Sequence, residues 1–298
     1  MSKTYFVIGA TGNTGHRVAQ ELAQAGHTVR GLTRNPAKAP ETPGVTYVQG
    51  TLQDKQVLQQ EFAQADAAYV MIPPAYEAQD FIAAENQMAD TVKEALEASN
   101  LRQVVVLSSQ GAHLSEGNGP IKAVHYLENR LKEIDNLNAV FLRPPYFYEN
   151  AFGSLPLIQH QGIMGSAMPA DKPIPMIATA DIGAEAANRL QALDFKGIEV
   201  EDLLGPEEYT QSQVAEVIGA AVNKPELKYV QFPPEQARQG MIQSGMTPSL
   251  ADLYVEMGTA NHDEVMRAAD RSKAKIGATT LEDFAQKQFK PVFEAQQQ

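Results

Sequence analysis

Apolar residues along this chain fall into short β-rich runs, separated by longer stretches in which they recur at helical spacing. Thr4 to Ile8, Thr28 to Leu32, Val45 to Gln49, Ala67 to Ile72, Val104 to Ser108 and Ala139 to Arg143 read as strands. Helical patterns fill the gaps, and Phe81, Ala84, Met88, Val92 and Ala95 mark one face of the longest, a spacing that lays a helix on a sheet. Strands alternating with helices predict an α/β fold with a doubly wound parallel sheet. After Pro144 and Pro145 the rhythm changes to loops, with Pro156, Pro169, Pro173 and Pro175 interrupting any long element. Further on, Asp181 to Leu190 reads as a helix, Ile198 to Leu203 as a late strand, Gln211 to Val222 as a helix and Leu227 to Phe232 as a short strand. The expected division is a doubly wound domain over residues 1–150, rejoined by 176–205, and a smaller α/β substrate or lid domain within 151–298.

The first strand runs directly into Gly9, Gly12 and Gly15, and Val18, Leu22 and Ala25 follow at helical spacing. Strand, tight turn and helix in that order make a Rossmann-type dinucleotide site. Gly9 makes the turn, Gly12 lets phosphate approach the backbone, and Gly15 lets the helix pack closely on the strand. The helix amino terminus then offers unpaired N–H groups and a partial positive charge to a pyrophosphate. The order Gly9, Ala10, Thr11, Gly12, Asn13, Thr14, Gly15 resembles the fingerprint of short-chain dehydrogenase/reductases of the atypical, extended branch.

The second strand ends in Thr33, Arg34, Asn35 and Pro36, with no acid among them. An NAD site usually carries Asp or Glu about 20 residues beyond the glycine turn, whereas Arg there suits a 2′-phosphate. Arg34 therefore argues for NADP, because its planar fork bonds phosphate bidentately and stacks on adenine. Lys38 is a looser point charge beside it.

Composition narrows the function classes. With 298 residues and 43% apolar content the chain can bury a substantial core, and a formal charge of −12 disfavours a general attraction to nucleic acid or anionic membrane. No run approaches the roughly 18 uninterrupted apolar residues of a membrane span, and no charged-then-apolar leader pattern stands at the start, so a cytoplasmic location is expected. The absence of cysteine removes disulfides, thiolate metal sites and cysteine nucleophiles. His16, His27, His113, His125, His160 and His262 fall at no recognised ligand spacing, so no metal is expected.

Several further segments make the resemblance specific. LTRNP at Leu32 to Pro36, MIPP at Met71 to Pro74, VVLSS at Val105 to Ser109, LRPPYFYEN at Leu142 to Asn150 and ATADIGAEAA at Ala178 to Ala187 join the glycine turn. Together they resemble the NmrA-like family of atypical short-chain dehydrogenase/reductases over nearly the whole chain. That family includes NADPH-dependent quinone and dye reductases, plant phenylpropanoid reductases, and regulators that bind NADP without reducing anything. The resemblance implies that Gly9, Thr11, Gly12, Asn13, Thr14 and Gly15 cradle the pyrophosphate, that Arg34 meets the 2′-phosphate, and that Ile72 and Pro73 line the cofactor. Relatives often have Gly followed by Asp after the third strand. Here Gly50 is followed by Thr51, with Asp54 further on, which departs from an acid contact with adenine.

Many dehydrogenases of this superfamily pair Ser with TyrxxxLys to protonate the developing oxyanion. This chain has Tyr126, Leu127, Glu128, Asn129 and Arg130, so Arg stands at the lysine position of the candidate catalytic pair Tyr126 and Arg130. On a helix they are neighbours, and the charge of Arg130 is expected to lower the tyrosine pKa, although guanidinium cannot relay a proton. The alternative is an amphipathic helix with its polar shoulder in water. Ser108, at a strand end, is a candidate cofactor contact; Gln110 and His125 are candidate polar contacts near the nicotinamide and acceptor. Tyr146 and Tyr148 either stack on a flat acceptor or pack an interdomain hinge. Two functions remain open: an NADPH-dependent reductase of a quinone or related conjugated carbonyl, and an NADP-binding redox sensor acting on a regulatory protein. The expected partners are a small-molecule acceptor or that protein, in a monomer or homodimer.

Overall fold

The computed structural model describes residues 2–260 and 270–296. The first half alternates strand and helix: β1 Thr4–Val7, α1 Asn13–Gln24, β2 Thr28–Thr33, β3 Val45–Gln49, α2 Lys55–Gln64, β4 Ala67–Val70, α3 Phe81–Ala98, β5 Gln103–Leu107, α4 Ile121–Lys132 and β6 Asn138–Arg143. The rest comprises β7 Tyr146–Phe147, α5 Leu155–Gln161, β8 Ile163–Ser166, β9 Ile174–Ile177, α6 Thr179–Ala192, β10 Ile198–Leu204, β11 Glu208–Tyr209, α7 Gln211–Ala221 and β12 Lys228–Gln231. After it come α8 Pro234–Gln243, α9 Pro248–Thr259, β13 Lys275–Ile276, and then α10 Leu281–Phe284 joined by a π turn to α11 Lys290–Ala295.

The central sheet has eight strands in the order β13-β10-β6-β5-β4-β1-β2-β3. β1 pairs in parallel with both β2 and β4, so the strand order reverses there. In open α/β sheets that reversal marks the ligand crevice, beyond the carboxyl ends of the strands. The turns after β1 and β4 are therefore the segments that define the site.

Two compact units divide the chain. The first contains residues to Ser115, Ile121–Arg143 and Ile182–Glu201; the second contains Glu116–Pro120, Pro144–Asp181 and Asp202 onward. In the first unit the strands are buried on both faces, as crossover helices require. Phe6, Ile8, Val70, Val104, Val106 and Phe141 pack with Phe62, Met88, Val92, Leu127 and Leu131. Alternate residues point the other way, where the Tyr5 hydroxyl donates to the Leu190 carbonyl of α6 at 3.1 Å and the Tyr69 hydroxyl donates to Thr14 of α1 at 3.0 Å. The second unit has its own core, in which Tyr148, Met176, Tyr209, Ile218, Phe284 and Phe289 meet.

Two expectations are corrected. The strand expected over Ala67 to Ile72 stops at Val70, because Pro73 and Pro74 have no N–H to extend a ladder and draw the preceding residues into the loop. The proline-rich stretch after Pro145 is also more ordered than the breakers suggested. Pro156 sits in the first turn of α5, where its missing N–H has no intrahelical role, and Pro175 lies within β9, in register with Glu208 of β11.

Candidate dinucleotide site

The glycine turn is built by sterics. Gly9 has φ +73°, in the left-handed region, and its carbonyl accepts the Gly12 N–H at 2.8 Å. A Cβ on Gly15 would lie 2.2 Å from that same carbonyl oxygen, so no other L-residue fits without moving the backbone. A Cβ on Gly12 would meet only the Gly9 oxygen, at 3.4 Å, which leaves the outer side of the turn open. The first turn of α1 has no side-chain cap and no acid. Its leading amides, from Asn13, Thr14 and Gly15, have no intrahelical acceptor and suit an anion. This is the cradle a pyrophosphate needs: an open face, free donors and a positive dipole end.

Thr11, Gly12 and Asn13 are exposed, whereas Thr14 is buried and its hydroxyl is occupied by Tyr69. The Thr14 hydroxyl oxygen accepts from Tyr69 of β4, and the Thr14 backbone amide lies in the first turn of α1. Beside the turn, a Cβ on Gly31 of β2 would come 2.6 Å from the Ala10 Cβ, which shows how closely β2 runs past it.

Arg34 is the first residue after β2 and is exposed. The Asn35 N–H donates to the Thr33 hydroxyl at 3.3 Å, and the Asn35 side chain accepts from the Ala37 N–H at 3.1 Å, which shapes the loop around it. Lys38, also exposed, ends the following 3-10 turn. Neither cation has a side-chain partner among the described residues. Asp54 turns back on its own loop and accepts the Thr51 N–H at 2.7 Å and hydroxyl at 2.8 Å. After β4, Met71 lies against Gly9, so close that a Cβ there would be 2.8 Å from its sulfur; Ile72 is half-buried and Pro73 exposed.

At the end of β5 the side chains are committed to one another. The buried Ser108 hydroxyl donates to Glu128 at 2.6 Å, and Arg143 grips the same carboxylate at 2.9 and 2.7 Å. Lys132 adds a contact at 3.2 Å. Burial alone would push the Glu128 carboxyl up; hydrogen bonds from Arg143 and Ser108, with the charges of Arg143 and Lys132, outweigh it and hold the group below the usual carboxylate range. The Ser109 hydroxyl donates to the Gln110 carbonyl at 2.8 Å. Gln110 differs. It is only 2% exposed, yet neither polar atom of its side chain has a hydrogen-bond partner among the described residues. Such an orphaned buried amide fits a group supplied by a ligand.

His125 Nδ1 lies 2.8 Å from the Ala112 carbonyl, and its Nε2 lies 2.9 Å from the Asn129 amide nitrogen. A carbonyl only accepts, so the His125 Nδ1–H donates to Ala112. Tyr126 takes a different direction. Its hydroxyl donates to Asp90 of α3 at 3.0 Å, and the Arg130 Nε donates to the same carboxylate at 2.6 Å while Arg130 also pairs with Glu133. The expected lowering of the Tyr126 pKa is therefore reversed: burial first, then the hydrogen bond and charge of Asp90, raise it against the opposing charge of Arg130. Residues two apart on a helix face opposite ways. Tyr126 accordingly turns toward α3 while Glu128 turns toward Ser108.

In the second unit, Tyr146 is half-buried, and burial, with Tyr229 nearby, raises its phenol. Tyr148 is wholly buried, set edge-on to Tyr209 with ring centroids 6.2 Å apart and tilted against Phe284 at 5.7 Å. It is a core residue of this unit rather than a stacking surface. Glu128, Asp90 and Arg143 were not singled out from the sequence. Glu128 did leave a trace, as an acid beside Leu127 in an apolar helical stripe.

Among the described residues, no cluster of His, Cys, Asp and Glu could hold a metal ion, and no helix is long and apolar enough to cross a membrane; His262 lies outside the described residues.

Sheet order and glycine turn define a Rossmann-type α/β protein. More narrowly, the chain belongs to the NmrA-like family, whose model matches residues 1–285. It is 26% identical over 257 residues to an NAD(P)H azoreductase of Xenophilus azovorans, covering 84% of this chain and 85% of that protein. In fold it is similar to an NADPH-dependent quinone oxidoreductase of Escherichia coli solved with NADPH, with TM-score 0.80, 21% identity, and 96% and 99% of the two chains covered. It is also similar to NmrA, a negative transcriptional regulator solved with NADP, with TM-score 0.70, 20% identity, and 99% and 98% covered.

Proposed function

We propose that this chain is an NADPH-dependent reductase of quinones or related conjugated acceptors. The observation that carries the reading is the open glycine turn, with its uncapped helix amides, in the same unit as the partnerless Arg34. The names of the azoreductase and quinone oxidoreductase relatives support the same chemistry. Backbone of Gly9, Thr11, Gly12, Asn13, Thr14 and Gly15 holds the pyrophosphate, and Arg34 with Lys38 meets the 2′-phosphate. Ile72 and Pro73 line the dinucleotide, and Ser108 shapes the strand end beneath it through Glu128. Gln110 uses its orphaned amide on the nicotinamide or acceptor, with His125 on the acceptor side.

When bound, NADPH supplies a hydride, and a quinone that takes it with one solvent proton leaves as hydroquinone, with NADP⁺ remaining. The protein's own groups agree with a proton from solvent. The hydroxyls of Ser108, Ser109 and Tyr126 already donate to protein acceptors, and the His125 Nδ1–H donates to Ala112. A planar acceptor needs little more than orientation, which suits a site whose named hydroxyls are engaged with the protein. The small-molecule acceptor is the partner of this reading, in a cytoplasmic monomer or homodimer.

The same engagement of these hydroxyls favours a second reading, an NADP-binding redox sensor that contacts a regulatory protein. NADPH oxidation against a panel of quinones, azo dyes and enones separates the two. Turnover with NADPH supports the reductase; NADPH binding with no turnover on any acceptor sinks it.

A further inference from the structure

The segment between β4 and α3, Met71 to Asp80, lies against the glycine turn through Met71 and ends where Asp80 caps α3 by accepting the Ala83 N–H at 2.9 Å. Between those points, the Ala75 carbonyl accepts the Ala78 N–H at 2.9 Å, closing a turn on which Tyr76 is 54% exposed. The first residue of that turn is tied by one side chain. Glu85, in the first turns of α3 and only 5% exposed, accepts the Ala75 N–H at 3.2 Å. Among the described residues no cation is paired with its carboxyl: burial pushes it up to about 8, opposed only by the Ala75 hydrogen bond. A carboxyl buried without a cation is costly, and its place in a helix packed on the sheet would otherwise suit an apolar residue. The bond to Ala75 is what the acid does that a leucine could not.

We infer that Glu85 is a positioning residue, which latches the Met71–Asp80 loop beside the glycine turn and so sets the affinity for the dinucleotide. The affinity claim rests on the reading of the site as an NADPH site; the latch itself does not. Losing the bond frees the turn at Ala75, and through the short proline-stiffened link it loosens Ile72 and Pro73, which line the cofactor.

Amide hydrogen exchange on the ligand-free protein and a fluorescence titration with NADPH test this on Glu85→Gln and Glu85→Ala. Glu85→Ala should speed exchange across Met71–Asp80, leave β4 and β5 protected, and weaken NADPH about three- to tenfold, the loss of one hydrogen bond. Glu85→Gln keeps an acceptor and should stay within about twofold of wild type in both. Ala75→Pro, which removes the donor and leaves Glu85 in place, should reproduce the Ala phenotype and guards against a folding defect in Glu85→Ala. Unchanged loop exchange in both Glu85→Ala and Ala75→Pro, or Glu85→Gln behaving like Glu85→Ala, would overturn the latch. Wild-type protein that fails to bind NADPH overturns the functional reading and the affinity claim, while the exchange result still decides the latch.

Discussion

The glycine turn after β1 and the polar cluster around α4 lie in one unit and rest on different physics. In the turn, backbone alone decides: Gly9 needs a positive φ, and Gly15 has no room for a Cβ. Around α4, rotamers and distant partners decide: Glu128 takes Ser108 and Arg143, while Tyr126 and Arg130 take Asp90. A motif made of glycine constraints keeps its meaning when found in a sequence. A motif made of a tyrosine and a cation loses it as soon as another acid reaches the hydroxyl first.

The largest expected effect falls on the polar cluster. Glu128→Ala leaves the half-buried Arg143 without its partner and should lower stability by about 3–5 kcal/mol in denaturant titration. The same carboxyl gives a pH signature. Its folded pKa is depressed, so its stabilisation is present above the unfolded carboxylate value and is lost as pH falls through the lower folded value. Stability of Glu128→Gln should therefore fall less steeply under acid than that of wild type.

Gly15→Ala comes next, because a Cβ against a backbone oxygen cannot be relieved by a side-chain rotation. It should cost about 1–3 kcal/mol or more and remove NADPH binding, measured by melting and by titration. Arg34→Ala touches neither core. It should weaken NADPH by about 1.5–3 kcal/mol and leave NADH nearly unchanged, since only NADPH presents the 2′-phosphate. Equal losses for both cofactors would detach Arg34 from phosphate reading. The smallest change is Tyr126→Phe, with about 1 kcal/mol of stability lost with the hydrogen bond to Asp90.

How much was legible follows the same division. The strand and helix alternation to Arg143 was readable because each element carries its own apolar period, and β3 falls at Val45–Gln49 as its pattern predicts. Helices α8 and α9 were missed: their polar faces carry Gln, Arg and Glu and only a few buried residues, among them Ala237, Leu250, Ala251 and Leu253, so the period is weak. Of the candidate site residues, the glycines and Arg34 stood in the sequence because short-range sterics and strand ends place them. Asp90 and Glu85 did not, since each acts on a residue that only the packing of α3 brings near. The Tyr126 spacing was visible, but Asp90 lies on another helix and reverses its expected ionisation.

A site that holds NADPH and leaves the acceptor's proton to solvent makes no use of the Tyr126 hydroxyl. The most direct test is kcat for quinone reduction by Tyr126→Phe relative to wild type. Turnover should stay within about twofold; a fall of about 10²-fold or more, the scale of a lost general acid, would make Tyr126 the proton donor.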